Sequence, residues 1–262
     1  MKLFSLMRGL SFFLLPLSMA GCVTQSNVGY GSKPQHAISR EEASARIHTE
    51  LAAQYYDRGQ LGVALEELSV ALQSKPDYAS AYNVRGLVHM ALHEDQQADE
   101  DFQRSLRLDS TDSNAHNNYG WFLCERGKVS DSIKHFMAAL KNPLYATPGR
   151  AYLNAGLCSM KAGNAKDAEE FLQKALTAQP NMPEALLAMA NLYFTKADYA
   201  GAKSYFMIFK RNNTSSLTAE NLWLAIRIER KLDDRIAEDS YAMQLRTNFP
   251  DARETQLMQY GQ

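Results

Sequence analysis

Ala115-His116-Asn117-Asn118-Tyr119-Gly120-Trp121-Phe122-Leu123-Cys124-Glu125-Arg126-Gly127 decides how this chain of 262 residues is read. Gly120 lies inside an otherwise helical pattern, where glycine weakens a helix by about 1 kcal/mol and so calls for a packing reason. We read it as the point where two helices pass at close range, and Gly127 as the point where the chain turns. The arrangement recurs on both sides. Gly86 stands 34 residues before Gly120 and Ala52 another 34 before that, while Gly156 stands 36 after it and Ala190 a further 34 on.

A small residue returning at this period marks a tetratricopeptide (TPR) array. The expected fold is all-α, a TPR superhelix (α-solenoid) of about six helix-turn-helix repeats. They fall near 45–78, 79–112, 113–148, 149–182, 183–216 and 219–252, within a domain spanning 40–262. Ser39-Arg40-Glu41-Glu42 has the spacing of a capping box and starts the first helix. In the first repeat Leu51, Ala52 and Tyr55 face the partner helix, Gly59 turns, Ala64, Leu68 and Ala71 form the second stripe, and Pro76 closes. Ser110 replaces the closing proline of the second repeat. The exit of the third, Asn142-Pro143-Leu144-Tyr145-Ala146-Thr147-Pro148, is two residues longer than standard. In the sixth, Leu222, Ile226, Leu245 and Pro250 fit, but the small residues are weaker.

The N-terminus carries an address. Met1-Lys2 and Arg8 give a positive start, Leu10 to Met19 is an apolar run too short to span a bilayer, and Ala20-Gly21-Cys22 follows. Residues 1–21 read as a signal peptide. Leu17-Ser18-Met19-Ala20-Gly21-Cys22 resembles the bacterial lipobox, with Met19 where leucine is usual, so Cys22 is expected to carry a covalent lipid anchor. By the same resemblance, Val23 after the cysteine suggests sorting to the outer membrane. Residues 22–39, with Gly29, Gly31, Ser32 and Pro34 and no hydrophobic period, read as the lipidated cysteine and a flexible tether.

Stacked repeats make one long concave face lined by the first helix of each repeat. Helical projection places Arg46, Thr49, Ala53 and Tyr56 there, then Asn83, Leu87 and Met90, then Asn114, Asn117 and Trp121, then Arg150, Leu153, Leu157 and Met160. Tyr56, Asn83, Leu87, Met90, Asn117, Trp121, Leu157 and Met160 form the candidate partner-binding groove. It is a mixed apolar surface with amides at one edge, suited to a segment of another protein. The TPR clamp for acidic C-termini also needs lysines, which are missing here. A formal charge of −1 argues against a nucleic-acid partner. No phosphate loop, nucleophile elbow or zinc motif appears, so we expect no enzyme, cofactor or small-molecule substrate.

With Cys22 assigned to lipid, Cys124 and Cys158 remain, on the first helices of consecutive repeats. In an oxidising compartment we expect them to form a bridge stapling the third repeat to the fourth; the alternative is two buried free thiols. His89 and His93 lie four apart and raise a metal site, but His93 falls at a turn and no third ligand is evident. We read them as solvated histidines, and Asp99-Glu100-Asp101 as part of a solvated helix face.

Lipobox, tether and about six repeats, with His116-Asn117-Asn118-Tyr119-Gly120-Trp121-Phe122-Leu123-Cys124 in the third, together resemble the type IV pilus biogenesis and stability lipoproteins of the PilW/PilF kind. That resemblance implies a pilotin-like, periplasm-facing outer-membrane lipoprotein of a Gram-negative bacterium. It also implies partners among the outer-membrane secretin and other pilus proteins, and a role in secretin multimer assembly or fibre stability. The alternative is a TPR lipoprotein scaffold of another envelope machine.

Overall fold

The computed structural model describes residues 39–213 and 215–260. The signal peptide, Cys22 and the tether up to residue 38 lie outside them. The described residues form thirteen α-helices and no strand. Six consecutive pairs are α1 (Arg40–Asp57) with α2 (Leu61–Ser74), α3 (Ala79–Ala91) with α4 (Asp95–Leu108), α5 (Ser113–Glu125) with α6 (Val129–Ala139), α7 (Pro148–Lys161) with α8 (Ala165–Ala178), α9 (Pro183–Thr195) with α10 (Tyr199–Asn212), and α11 (Ala219–Lys231) with α12 (Arg235–Asn248). A short α13 (Arg253–Gln259) follows.

Local signals set these boundaries. At the start of α1 the Glu42 N–H donates to Ser39 Oγ (3.1 Å), as the capping box predicts. At α5 the N–H groups of Asn114 and Ala115 donate to Asp112 Oδ1 (2.8 and 3.1 Å), and such caps each contribute about 1 kcal/mol. The turn inside each repeat uses one residue in the left-handed region. Gly59, Gly127 and Gly163 lie at φ +71°, +72° and +74°. His93, Ala197 and Asp233 hold the same position with φ near +60°, so His93 does sit where helical geometry ends.

The recurring small residues have the predicted steric cause. A Cβ built on Gly120 would lie 2.8 Å from the Phe136 ring, on Gly86 2.9 Å from Phe102, and on Gly156 2.7 Å from Leu172. In each case the first helix of a repeat meets a large, fully buried side chain of the second. In the sixth repeat the sizes are exchanged: Ile226 (0 % exposed) stands where Gly120 stands in the third, and Ala242 (6 % exposed) where Phe136 stands. The repeat that looks degenerate in sequence is thus a complete helix pair with its bulk on the other partner.

Each odd-numbered helix touches the next odd-numbered one, whereas even-numbered helices touch only odd-numbered neighbours and α13. The closer spacing is on the odd side, so the array bends toward α1, α3, α5, α7, α9 and α11, which line its concave face. The long third exit turns Tyr145 inward against Ala139 and Ala151 and leaves Leu144 in solvent. Helix α13, absent from the sequence reading, packs on α11 and α12 and covers the last repeat. Thr255 anchors it, donating to the Phe249 carbonyl (2.6 Å).

Candidate partner-binding groove

Three positions of each first helix recur on the concave face, in the register of Asn117, Trp121 and Cys124. In that register Tyr56, Leu87, Met90, Trp121, Leu157 and Met160 are half-buried. Each rests on the core beneath it while part of its surface stays open. Tyr56 packs on the first repeats' core, Leu87 and Met90 on Phe102 and its neighbours, and Trp121 on the cluster of Cys124, Phe136, Ala155 and Cys158. Leu157 and Met160 pack on the large C-terminal cluster. Met160 also borders a cleft of about 330 Å³ with Leu192, Thr195 and Lys196.

The two asparagines take a different part from the one expected. Asn83 and Asn117 are buried, and their side-chain carbonyls accept from Asn118 Nδ2 (3.2 Å) and Asn154 Nδ2 (3.0 Å) of the following first helix. They staple consecutive repeats before they offer anything to a ligand. The fuller concave set agrees: Thr49 is buried and donates to its own helix at Ala45, Leu153 is buried, Ala53 is half-buried, and Arg46, Asn114 and Arg150 are exposed.

Cys124 and Cys158 lie on α5 and α7 with Cα atoms 5.8 Å apart, joined as a disulfide. Both are buried, and Trp121 packs on them, so the bridge also supports the groove floor.

Two readings of charged residues need correction. His89 is not solvated: its side chain is 16 % exposed, its Nδ1 lies 2.5 Å from Glu94, and its Nε2 lies 3.7 Å from Asp101. Asp101 is not on a solvated face either. It is buried and holds Arg85 through two bonds of 2.7 Å, which raise the Arg85 pKa. Neither could be read from the sequence, because their partners are brought in by the α3–α4 turn and by the paired helix.

Beneath the third repeat, His116 Nδ1 and His135 Nδ1 are 2.9 Å apart, and His135 stands edge-on to Tyr119. The Tyr119 hydroxyl donates to Asp99 (2.8 Å), and burial together with that carboxylate pushes its pKa up to about 12. Burial first, and then the neighbouring His116, hold the His135 pKa below its ordinary 6.5, with Asp131 opposing. The unfolded chain therefore takes up a proton on acidification before the folded chain does. Stability is full above about pH 6.5 and falls as the pH drops below it. We expect the urea midpoint to fall from about pH 7 to about pH 5, and to fall less in His135→Gln. Equal losses in both proteins would remove His135 as a cause.

The candidate groove residues end at Met160, in the fourth repeat. The same register continues to Leu187, Asn191 and Phe194 on α9, and to Trp223, Arg227 and Arg230 on α11. Stepping on from Leu153, Leu157 and Met160 by 34 and then 36 residues would have found them.

A tetratricopeptide repeat model matches residues 159–207 and a TPR repeat model residues 52–92. The type IV pilus assembly protein PilF of Pseudomonas aeruginosa is 29 % identical, over 94 % of this chain and 96 % of its own. A solved structure of that PilF superposes with a TM-score of 0.75 at 28 % identity, covering 86 % of this chain and all of the other. The crystal structure of PilW, described as a widely conserved type IV pilus biogenesis factor, superposes with a TM-score of 0.76 at 33 % identity, covering 82 % of this chain and 97 % of that one. The chain belongs to the PilF/PilW family of type IV pilus biogenesis factors. The superpositions span nearly the whole of the PilF and PilW chains, so the repeat array of this chain is matched almost from end to end.

Proposed function

We propose that this chain is a lipid-anchored outer-membrane protein of a Gram-negative bacterium, facing the periplasm. Its concave face binds other type IV pilus proteins, promoting secretin multimer assembly or stabilising the fibres. The observation that carries the reading is the continuous concave face with half-buried Leu87, Met90, Trp121, Leu157 and Met160 on a fold shared with pilus biogenesis factors. Half-buried apolar side chains over a packed floor suit capture of an amphipathic or extended segment. Cys22 carries the lipid, and acyl chains contribute roughly 0.8 kcal/mol per buried methylene. The Cys124–Cys158 bridge forms in that oxidising compartment.

The test is deletion of the gene, with secretin multimers probed in unheated membranes and surface fibres counted in the same cells. Loss of multimers places the protein in secretin assembly. Intact multimers without fibres place it after assembly, on the fibre. If neither changes, the pilus role fails and a scaffold for another envelope machine takes its place. Cys22→Ser is expected to leave the array folded and to remove it from the outer membrane; a variant still sedimenting with outer membranes would reject the lipid anchor.

A further inference from the structure

The groove floor carries almost no charge. Across six repeats, the register of Asn117, Trp121 and Cys124 holds two charged residues, Arg227 and Arg230, both on α11. Arg230 is already neutralised, its Nε donating to Glu238 (2.8 Å). Other half-buried cations are likewise paired: Arg85 with Asp101, and Lys203 with Glu229 and Asp234.

Arg227 differs. Its Nε is buried and has no acceptor among the described residues, and no carboxylate there pairs with it. Its guanidinium is held by rings instead, with Cζ 4.7 Å from the Phe194 centroid and 5.9 Å from that of Trp223. Cation–π contact with the rings holds the guanidinium in place but satisfies none of its N–H groups. A half-buried cation without a counter-charge is costly, and one held between rings with no acceptor is set to receive an anion.

Resting on the groove reading above, we propose that Arg227 is the subsite for an acidic side chain of the captured partner segment, an Asp or Glu among apolar residues. The apolar neighbours sit on Leu157, Met160 and Leu187, which precede Arg227 along the floor. The site supplies one fork. The nearby Asn191 amide already donates to the Leu187 carbonyl (3.1 Å), and Arg230 is engaged by Glu238. One fork fits one side-chain carboxylate.

The full chain is expressed in its own bacterium with p-benzoylphenylalanine at Asn191 and, separately, at Trp121, and irradiated. Arg227→Glu, Arg227→Gln and Arg227→Lys are combined with the Asn191 probe, and helical content is checked on each purified protein. We expect the Asn191 adduct to fall at least about tenfold in Arg227→Glu and Arg227→Gln, and less in Arg227→Lys. We expect mass spectrometry to place the adduct on a partner segment containing an acidic residue. Replacing that residue with Arg should restore the adduct to Arg227→Glu.

An adduct indifferent to Arg227→Glu and Arg227→Gln overturns the proposal. So does a crosslinked segment whose only carboxylate is its C-terminus, or loss of helical content in all three variants, which would make Arg227 a structural cation. An adduct from Trp121 but none from Asn191 removes the subsite and leaves the groove standing. No adduct from either position removes the groove itself.

Discussion

Reduction of the Cys124–Cys158 bridge is expected to lower the stability of the folded array by about 3–4 kcal/mol, the chain-entropy value for a closed loop of this length. The cysteines are 34 residues apart in sequence, and the bridge ties α5 to α7 across the longest turn between consecutive repeats. In an array each repeat is held mainly by its neighbours, so a covalent tie between the third and fourth restrains a joint that packing alone would hold. The thiols would stay buried among Phe136 and Ala155, so the native state loses little besides the tie. Urea unfolding with and without reductant checks this. The oxidised wild type should unfold at clearly higher urea than the reduced protein, and a Cys124→Ala/Cys158→Ala double variant should ignore reductant. Coincident curves for the oxidised and reduced wild type would show that the bridge contributes nothing.

The second large effect is a reversal of sign between two glycines. A Cβ on Gly62, in the first turn of α2, meets nothing within 4 Å. Gly62→Ala is therefore expected to stabilise by up to about 1 kcal/mol through helix propensity. At Gly120 the same methyl would stand 2.8 Å from the Phe136 ring and 3.2 Å from the Ser132 carbonyl oxygen. Phe136 is fully buried and cannot swing away, so α5 and α6 must separate. Overpacking of this kind costs about 1–3 kcal/mol and larger residues cost more, so Gly120→Ala should destabilise and Gly120→Leu should do so severely. Phe136→Leu should recover part of the loss in Gly120→Ala, although alone it destabilises. Chemical denaturation of the set decides it. A Gly120→Ala protein as stable as Gly62→Ala would show that the crossing has slack.

Much of this was legible because TPR packing repeats with sequence. The small residue at Gly86, Gly120 and Gly156 marks the helix crossing wherever the second helix brings a Phe or Leu against it. The first helices of consecutive repeats also carry Cys124 and Cys158 two register positions apart, close enough to bridge. The logic failed where a partner lies outside the period. In the sixth repeat the small residues looked weak because the small partner of the crossing, Ala242, is on the second helix opposite Ile226. Asp101 looked solvated because Arg85 reaches it from the paired helix, and His89 because Glu94 reaches it from the turn between the two helices. Asn83 and Asn117 looked available because nothing in one repeat reveals Asn118 and Asn154 of the next. Helix α13 follows the last repeat and has no earlier copy to be compared with.

Capture of a pilus partner on the concave face can be read in cells. The direct measurement is complementation of the deletion strain with wild type, Met90→Ala and Trp121→Ala, scoring secretin multimers in unheated membranes together with surface fibres. Both variants are expected to accumulate with native helical content and yet restore markedly fewer multimers or fibres than wild type. Wild-type amounts of both, from both variants, would contradict it.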